Sequence, residues 1–191
     1  EYTMGDMMRK RQEIIRQLKA EGVFELQKEL RLPMFAQRIA VISSETAAGY
    51  GDFCNQLETN EYGLHFHVEL FPAVMQGDSV EQSIINALNQ INSLEEEFDC
   101  VVIIRGGGAT ADLSSFDTLN LAENVANFPL PIITGIGHER DESVLDMVSF
   151  QRVKTPTAAA AYLIDHLAST LMRVENAQAA IVEGVRRPLE I

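Results

Sequence analysis

Long apolar runs are missing from this sequence, and so are a cysteine pair at metal or redox spacing, a Walker-type lysine and, through its middle, almost all positive charge. No stretch approaches the roughly 20 apolar residues that a membrane-spanning helix needs. The opening EYTMGDMMRK has no apolar signal-peptide region, and a start at Glu1 rather than Met suggests a piece cut from a longer chain. The only cysteines, Cys54 and Cys100, form no CxxC motif. They are expected to be reduced core residues of a cytosolic protein rather than a disulfide or a zinc site. The glycine run Gly106-Gly107-Gly108 lacks a following Gly-Lys-Ser/Thr, which excludes a Walker A loop.

The charge deficit is uneven. A net charge of −13 argues against a nucleic-acid partner, because phosphate binding needs basic surface. Yet Arg9, Lys10, Arg11, Arg16, Lys19, Lys28, Arg31 and Arg38 crowd the beginning, while Ile39 to Glu139 holds Arg105 as its single Lys or Arg. The basic stretch is either a phosphate-facing arm or a solvated helix face.

What is present is alternation. With 46% hydrophobic residues the chain can bury one sizeable core. MRKRQEIIRQLKAEG reads as a helix, RIAVIS as a strand, TAAGYGDFCNQLE as a helix and HFHVELFP as a strand. SVEQSIINALNQINSLE follows as an amphipathic helix, CVVII as a strand buried on both faces, DTLNLAENVANF as a helix and PIITGIG as a strand. This predicts an α/β fold with a mainly parallel sheet flanked by helices. The expected organisation is a basic helical arm over 1–35, an α/β domain over 36–165 and the start of a C-terminal helix over 166–191. In that last segment Leu167, Leu171, Val174, Ile181 and Val185 follow alternate spacings of four and three, with Gln178 as a polar interruption. The pattern fits a coiled-coil seam or an amphipathic helix packed on its own domain.

Ligands of such sheets gather at the carboxyl ends of the strands. Ser43-Ser44-Glu45-Thr46, Phe71-Pro72, Arg105 to Gly108 and Gly135 to Asp141 all fall there. Three glycines in a row allow positive φ, close approach to a ligand and an anion cradle of N–H groups, or mark a tight turn. Gly106, Gly108 and Ala111 fit the GxGxxA dinucleotide pattern loosely, but after the third strand rather than the first. His138, behind Gly137 and three residues before Asp141, is a candidate for proton transfer. Asp52 lies on the helix after the first strand, where spacing alone does not single it out. His65 and His67 alternate along a strand and are read as half-exposed residues rather than a metal pair; His166 is an ordinary helix residue.

RIAVISSETAAGYGDF, VVIIRGGGATADLSSFD, PIITGIGHERDESVLDMVS and RVKTPTAAAAYL together resemble the large subunit of exodeoxyribonuclease VII, with its elements SPTGAAxxD, RGGGSxEDLxxFN, GHExDxTxxD and APTPSAAAE. The resemblance implies a bacterial cytoplasmic nuclease that hydrolyses phosphodiester bonds of single-stranded DNA from both ends to oligonucleotides. It implies no required divalent metal, and a small helical subunit bound through a coiled coil that continues the C-terminal helix. It also implies an OB-fold domain ahead of this segment. Its functional positions fall on Asp52, Arg105, His138 and Asp141, with Gly106, Gly107, Gly108 and Gly137 matching the phosphate-side glycines. Departures are Glu45, Ala109, Ala111, Asp117, Ser143 and Lys154, where the family pattern has Pro, Ser, Glu, Asn, Thr and Pro.

On that basis Arg105 would neutralise phosphate charge, His138 would act as general base or acid with Asp141 orienting it, and Asp52 would serve as the second proton-transfer or water-orienting group. A metal-dependent variant would instead use Asp52, Asp112, Asp141 and His138 as ligands of Mg²⁺ or Mn²⁺. Taken without the resemblance, the same residues fit a non-catalytic α/β module that binds a nucleotide or sugar phosphate through Arg105.

Overall fold

The computed structural model describes residues 3–106, 113–137 and 142–186. Its strands are β1 (Arg38–Ser43), β2 (His67–Pro72), β3 (Cys100–Ile104), β4 (Ile132–Gly135) and β5 (Gln151–Arg152). They pair in the order β2-β1-β3-β4-β5, every pairing parallel. The expected α/β class is therefore met, and the sheet is parallel throughout the described residues.

The apolar runs account for the three central strands. All five residues of β3 and all four of β4 are buried, as is β1 after Arg38. Because successive side chains point to opposite faces, each run feeds two cores. Ala40, Ile42, Val101, Ile103 and Ile132 pack on one face with Ile14 and Leu18 of α1 (Met4–Ala20), and with α4 (Val80–Asn92), α5 (Leu119–Ala126) and α6 (Val144–Val148). Ile39, Val41, Cys100, Val102, Ile104 and Ile133 pack on the other face with α3 (Ala48–Glu58) and α7 (Pro156–Arg186). Each fully buried Ile, Val or Leu contributes about 1.5–3 kcal/mol of transfer free energy, so this double burial holds β3 in place. β2 is one of the two edge strands; His67 opens it, His65 precedes it, and both are exposed. The thiols of Cys54 and Cys100 are free, as expected.

Three short elements go beyond the sequence reading: α2 (Leu26–Glu29), α6 and β5. A helix of four residues holds because buried Gln27 donates through Nε2 to Phe128 O (2.9 Å) and Leu130 O (3.0 Å) and accepts from Ile132 N (2.9 Å). The start of β3 is tied to β1 by Asp99, which accepts from the Gln37 and Arg38 amides and pairs with the Arg38 guanidinium at 2.9 Å. Burial opposes the Asp99 charge, but these hydrogen bonds and the arginine outweigh it and hold the carboxyl below its ordinary range.

α7 starts against the sheet, with Ala159, Ala160, Leu163, Ile164 and Leu167 buried. Its distal part leaves Met172, Ile181, Val182 and Val185 exposed. Among the described residues no helix is long and apolar enough to cross a membrane.

One contact sets how α3 meets the sheet. A Cβ on Gly49 would lie 2.7 Å from Gly106 Cα and 2.8 Å from Pro156 Cγ, and a Cβ on Gly106 would lie 2.5 Å from Gly49 Cα. Backbone meets backbone here, whereas Gly51, two residues on, has nothing within 4 Å of its Cβ position. The same substitution should therefore act in opposite directions on one helix. Gly49→Ala is expected to cost about 1–3 kcal/mol through overpacking, and Gly51→Ala to gain up to about 1 kcal/mol from helix propensity. Urea denaturation of both variants checks this, and stabilisation by Gly49→Ala would contradict the packing described.

Candidate functional site

In the order β2-β1-β3-β4-β5 the chain's winding reverses between β1 and β3, and the crevice outside their carboxyl ends is where ligands of open parallel sheets bind. β1 leads into α3 on one face, while the helix after β3 is α5 on the other. Ser43 Oγ donates to Ile104 O at 2.9 Å, in a fully buried position, and joins the two strand ends.

Arg105 is the first residue beyond β3. It is half-buried, and its N–H donates to Gly135 O at 3.2 Å, so the ends of β3 and β4 are joined as well. Gly106 follows, and its missing Cβ admits the first turn of α3. That gives one glycine of the run a packing reason in addition to any role toward an anion. Asp52 is exposed on α3, three residues after Gly49, which places it one turn along from the contact with Gly106. The structure thus brings Arg105, Gly106 and the Asp52-bearing helix to one edge. Gly137 lies two residues beyond β4 with φ +89°, in the left-handed region that favours glycine. Gly107, Gly108, His138 and Asp141, with Asp112, lie outside the described residues. Among the described residues no group of three or more His, Cys, Asp or Glu is placed to hold a metal ion.

The segment after Gly137 ends in a built anchor. Ser143 caps α6: its Oγ accepts from Asp146 N (3.2 Å) and donates to Asp146 Oδ2 (2.9 Å), which also accepts from Ser143 N (3.0 Å). Asp146 Oδ1 accepts from the buried Thr134 hydroxyl of β4 at 2.8 Å. The side chain of Ser143 therefore supplies the capping hydroxyl, at a position where the family pattern has threonine. Sequence reasoning passed over Asp146, although Ser-Val-Leu-Asp ahead of an apolar pair is a capping-box spacing with Asp in place of Glu.

Asp117 was also missed as a structural group, and here the sequence carries no local signal. It is 3% exposed, accepts from Val144 N at 2.8 Å and pairs with Arg11 Nε at 2.5 Å across more than a hundred residues of sequence. At the same edge Thr155 Oγ1 accepts from Ala158 N (3.0 Å) in the first turn of α7. A Cβ on Gly135 would lie 3.1 Å from Thr155 O, so the start of α7 also packs directly on the end of β4.

Comparison with known proteins finds relatives of this chain. The profile of the family described as "Exonuclease VII, large subunit" matches residues 23–191. The exodeoxyribonuclease 7 large subunit of Lactobacillus helveticus is 33% identical over 183 residues, covering 96% of this chain and 40% of the relative. That of Nostoc sp. is 39% identical over 157 residues (82% and 37%), and that of Deinococcus radiodurans 35% identical over 191 residues (99% and 46%). The chain spans less than half the length of these relatives.

The cap of α6 can be tested by removing one oxygen. Ser143→Ala is expected to lower stability by about 1–2 kcal/mol, and Ser143→Thr to stay within about 0.5 kcal/mol of the parent. Equal losses in denaturant titrations of the two would show that the hydroxyl does not carry the anchor.

Proposed function

The chain belongs to the exonuclease VII large-subunit family, and we propose that it carries that family's phosphodiester-cleaving centre, acting on single-stranded DNA from both ends to give oligonucleotides. The observation that carries this reading is the delivery of Arg105 by a fully buried strand to the crevice between the ends of β1 and β3. There its planar guanidinium is suited to two phosphate oxygens. In a body with no other Lys or Arg from Ile39 to Glu139, that placement is specific.

Cleavage needs an aligned nucleophile, neutralisation of the charge that develops on phosphorus-bound oxygens, and protonation of the leaving oxygen. Arg105 neutralises, helped by N–H groups of the Gly106-Gly107-Gly108 run and by Gly137. His138 moves the proton, with Asp141 orienting its ring, and Asp52 is the second proton-transfer or water-orienting group. No metal is required in this scheme; in the alternative, Asp52, Asp112, Asp141 and His138 hold Mg²⁺. The acidic body then serves cleavage while strand capture falls to parts of the full-length protein beyond this chain. The exposed Ile181 and Val185 side of α7 is the surface for the small subunit, and the enzyme works in the cytoplasm.

The test uses the full-length protein with its small subunit on end-labelled single-stranded DNA, in EDTA and in Mg²⁺. Arg105→Ala and His138→Ala are each expected to lower kcat by about 10²–10⁴-fold, with the parent active in EDTA. Near-parental turnover by either variant removes that residue from the site. Activity in Mg²⁺ alone moves Asp52 and Asp141 into ligand roles, and binding without cleavage under both conditions favours a phosphate-binding module.

A further inference from the structure

The two segments that hold the candidate catalytic residues are joined to each other at both ends. Upstream, the Arg105 N–H donates to Gly135 O at 3.2 Å, where one segment leaves β3 and the other leaves β4. Downstream, Asp117 follows the 3₁₀ turn Leu113–Phe116 that closes the first segment, and its Oδ1 accepts from Val144 N at 2.8 Å, the first residue of α6, which closes the second. A single carboxylate thus fixes the far end of both.

That carboxylate has a third tie. Its Oδ2 pairs with Arg11 Nε at 2.5 Å, with the two side chains 4% and 18% exposed. Arg11 belongs to the middle of α1, the basic arm helix, which also packs Ile14 and Leu18 into the core. A buried carboxylate deprived of its cation is strongly unfavourable and moves toward water. Losing Arg11 would therefore pull Asp117 away from Val144 and release both downstream ends together.

We infer that Arg11 and Asp117 form a positioning clamp that fixes the spacing between the 3₁₀ turn downstream of Arg105 and the start of α6 downstream of His138 and Asp141, and makes that spacing depend on where helix α1 sits. This rests on the cleavage reading given above. Arg11 does not serve as a phosphate contact, because it is mostly covered and its charge is matched by Asp117. The clamp should thus act on turnover and leave substrate affinity alone. In Asp117→Asn the amide oxygen can still accept from Val144 N, but the amide NH₂ then faces the Arg11 guanidinium, donor against donor. Removing the arginine as well abolishes that conflict.

The experiment measures kcat and KM for single-stranded DNA with the full-length protein and its small subunit, as Arg11→Met, Asp117→Asn and the double variant. Each single variant is expected to lose about 10- to 100-fold in kcat, the range of a misplacement near 1 Å, with KM within about twofold. The double variant is expected to recover most of the loss instead of multiplying it. If Arg11→Met fails to fold, Arg11→Lys is read in its place; it keeps the charge without the fixed Nε geometry and is expected to lose kcat with KM retained. Three results overturn the inference: parental kcat in Arg11→Met or its lysine substitute, a rise in KM without a fall in kcat, or losses that multiply in the double variant. A parent protein that does not cleave at all overturns the cleavage reading and this inference with it; cleavage with uncoupled variants overturns the inference alone.

Discussion

The site edge depends on a contact between two residues that have no side chain. Gly49, in the first turn of α3, lies against Gly106, the second residue beyond β3, with Pro156 of α7 closing the third side. Any Cβ at either glycine would sit under 3.0 Å from main-chain atoms of the other segment. A helix that begins this close to the strand exit brings its first turn to the edge where Arg105 leaves β3. Gly106 therefore answers a packing demand, since a side chain there would meet the backbone of α3.

Around this contact the apolar and polar halves of the molecule do different work. β1, β3 and β4 are buried on both faces and tolerate little displacement, since interiors are packed as densely as organic crystals. Most of the buried polar side chains, among them Ser43, Asp117, Thr134, Ser143 and Asp146, gather instead at the carboxyl edge and hydrogen-bond to one another or to main chain there. Their bonds are short-range and directional: Ser43 joins β1 to β3, Thr134 joins β4 to α6, and Asp117 joins the 3₁₀ turn to α6. A buried polar group without a partner would cost about 1–3 kcal/mol, so these bonds specify one arrangement of the edge.

Much of the fold was legible because its elements carry strong local signals. RIAVIS and CVVII coincide with β1 and β3 because a continuous apolar run between breakers has few other uses. The amphipathic stretch from Val80 likewise became α4. β5, α2 and α6 were not legible, being two, four and five residues long. Periodicity cannot show in so few positions, and they persist through tertiary bonds such as those of Gln27 and Asp146. Of the candidate site positions read from the sequence, the structure describes Asp52, Arg105, Gly106 and Gly137. That Gly106 packs on Gly49, and that Asp117 binds Arg11 and Val144, depends on the three-dimensional meeting of segments far apart in sequence, which no local pattern encodes. The seam on α7 is mixed: Leu167 is buried, while Ile181 and Val185 are exposed.

The most direct test of the account is a crystal structure of the full-length protein with a short single-stranded oligonucleotide whose phosphodiesters resist cleavage. The account expects a backbone phosphate at the carboxyl ends of β1 and β3, in contact with the Arg105 guanidinium and beside the first two turns of α3. A strand bound elsewhere, at the amino ends of the sheet or along α7 with the Arg105 crevice empty, would contradict it.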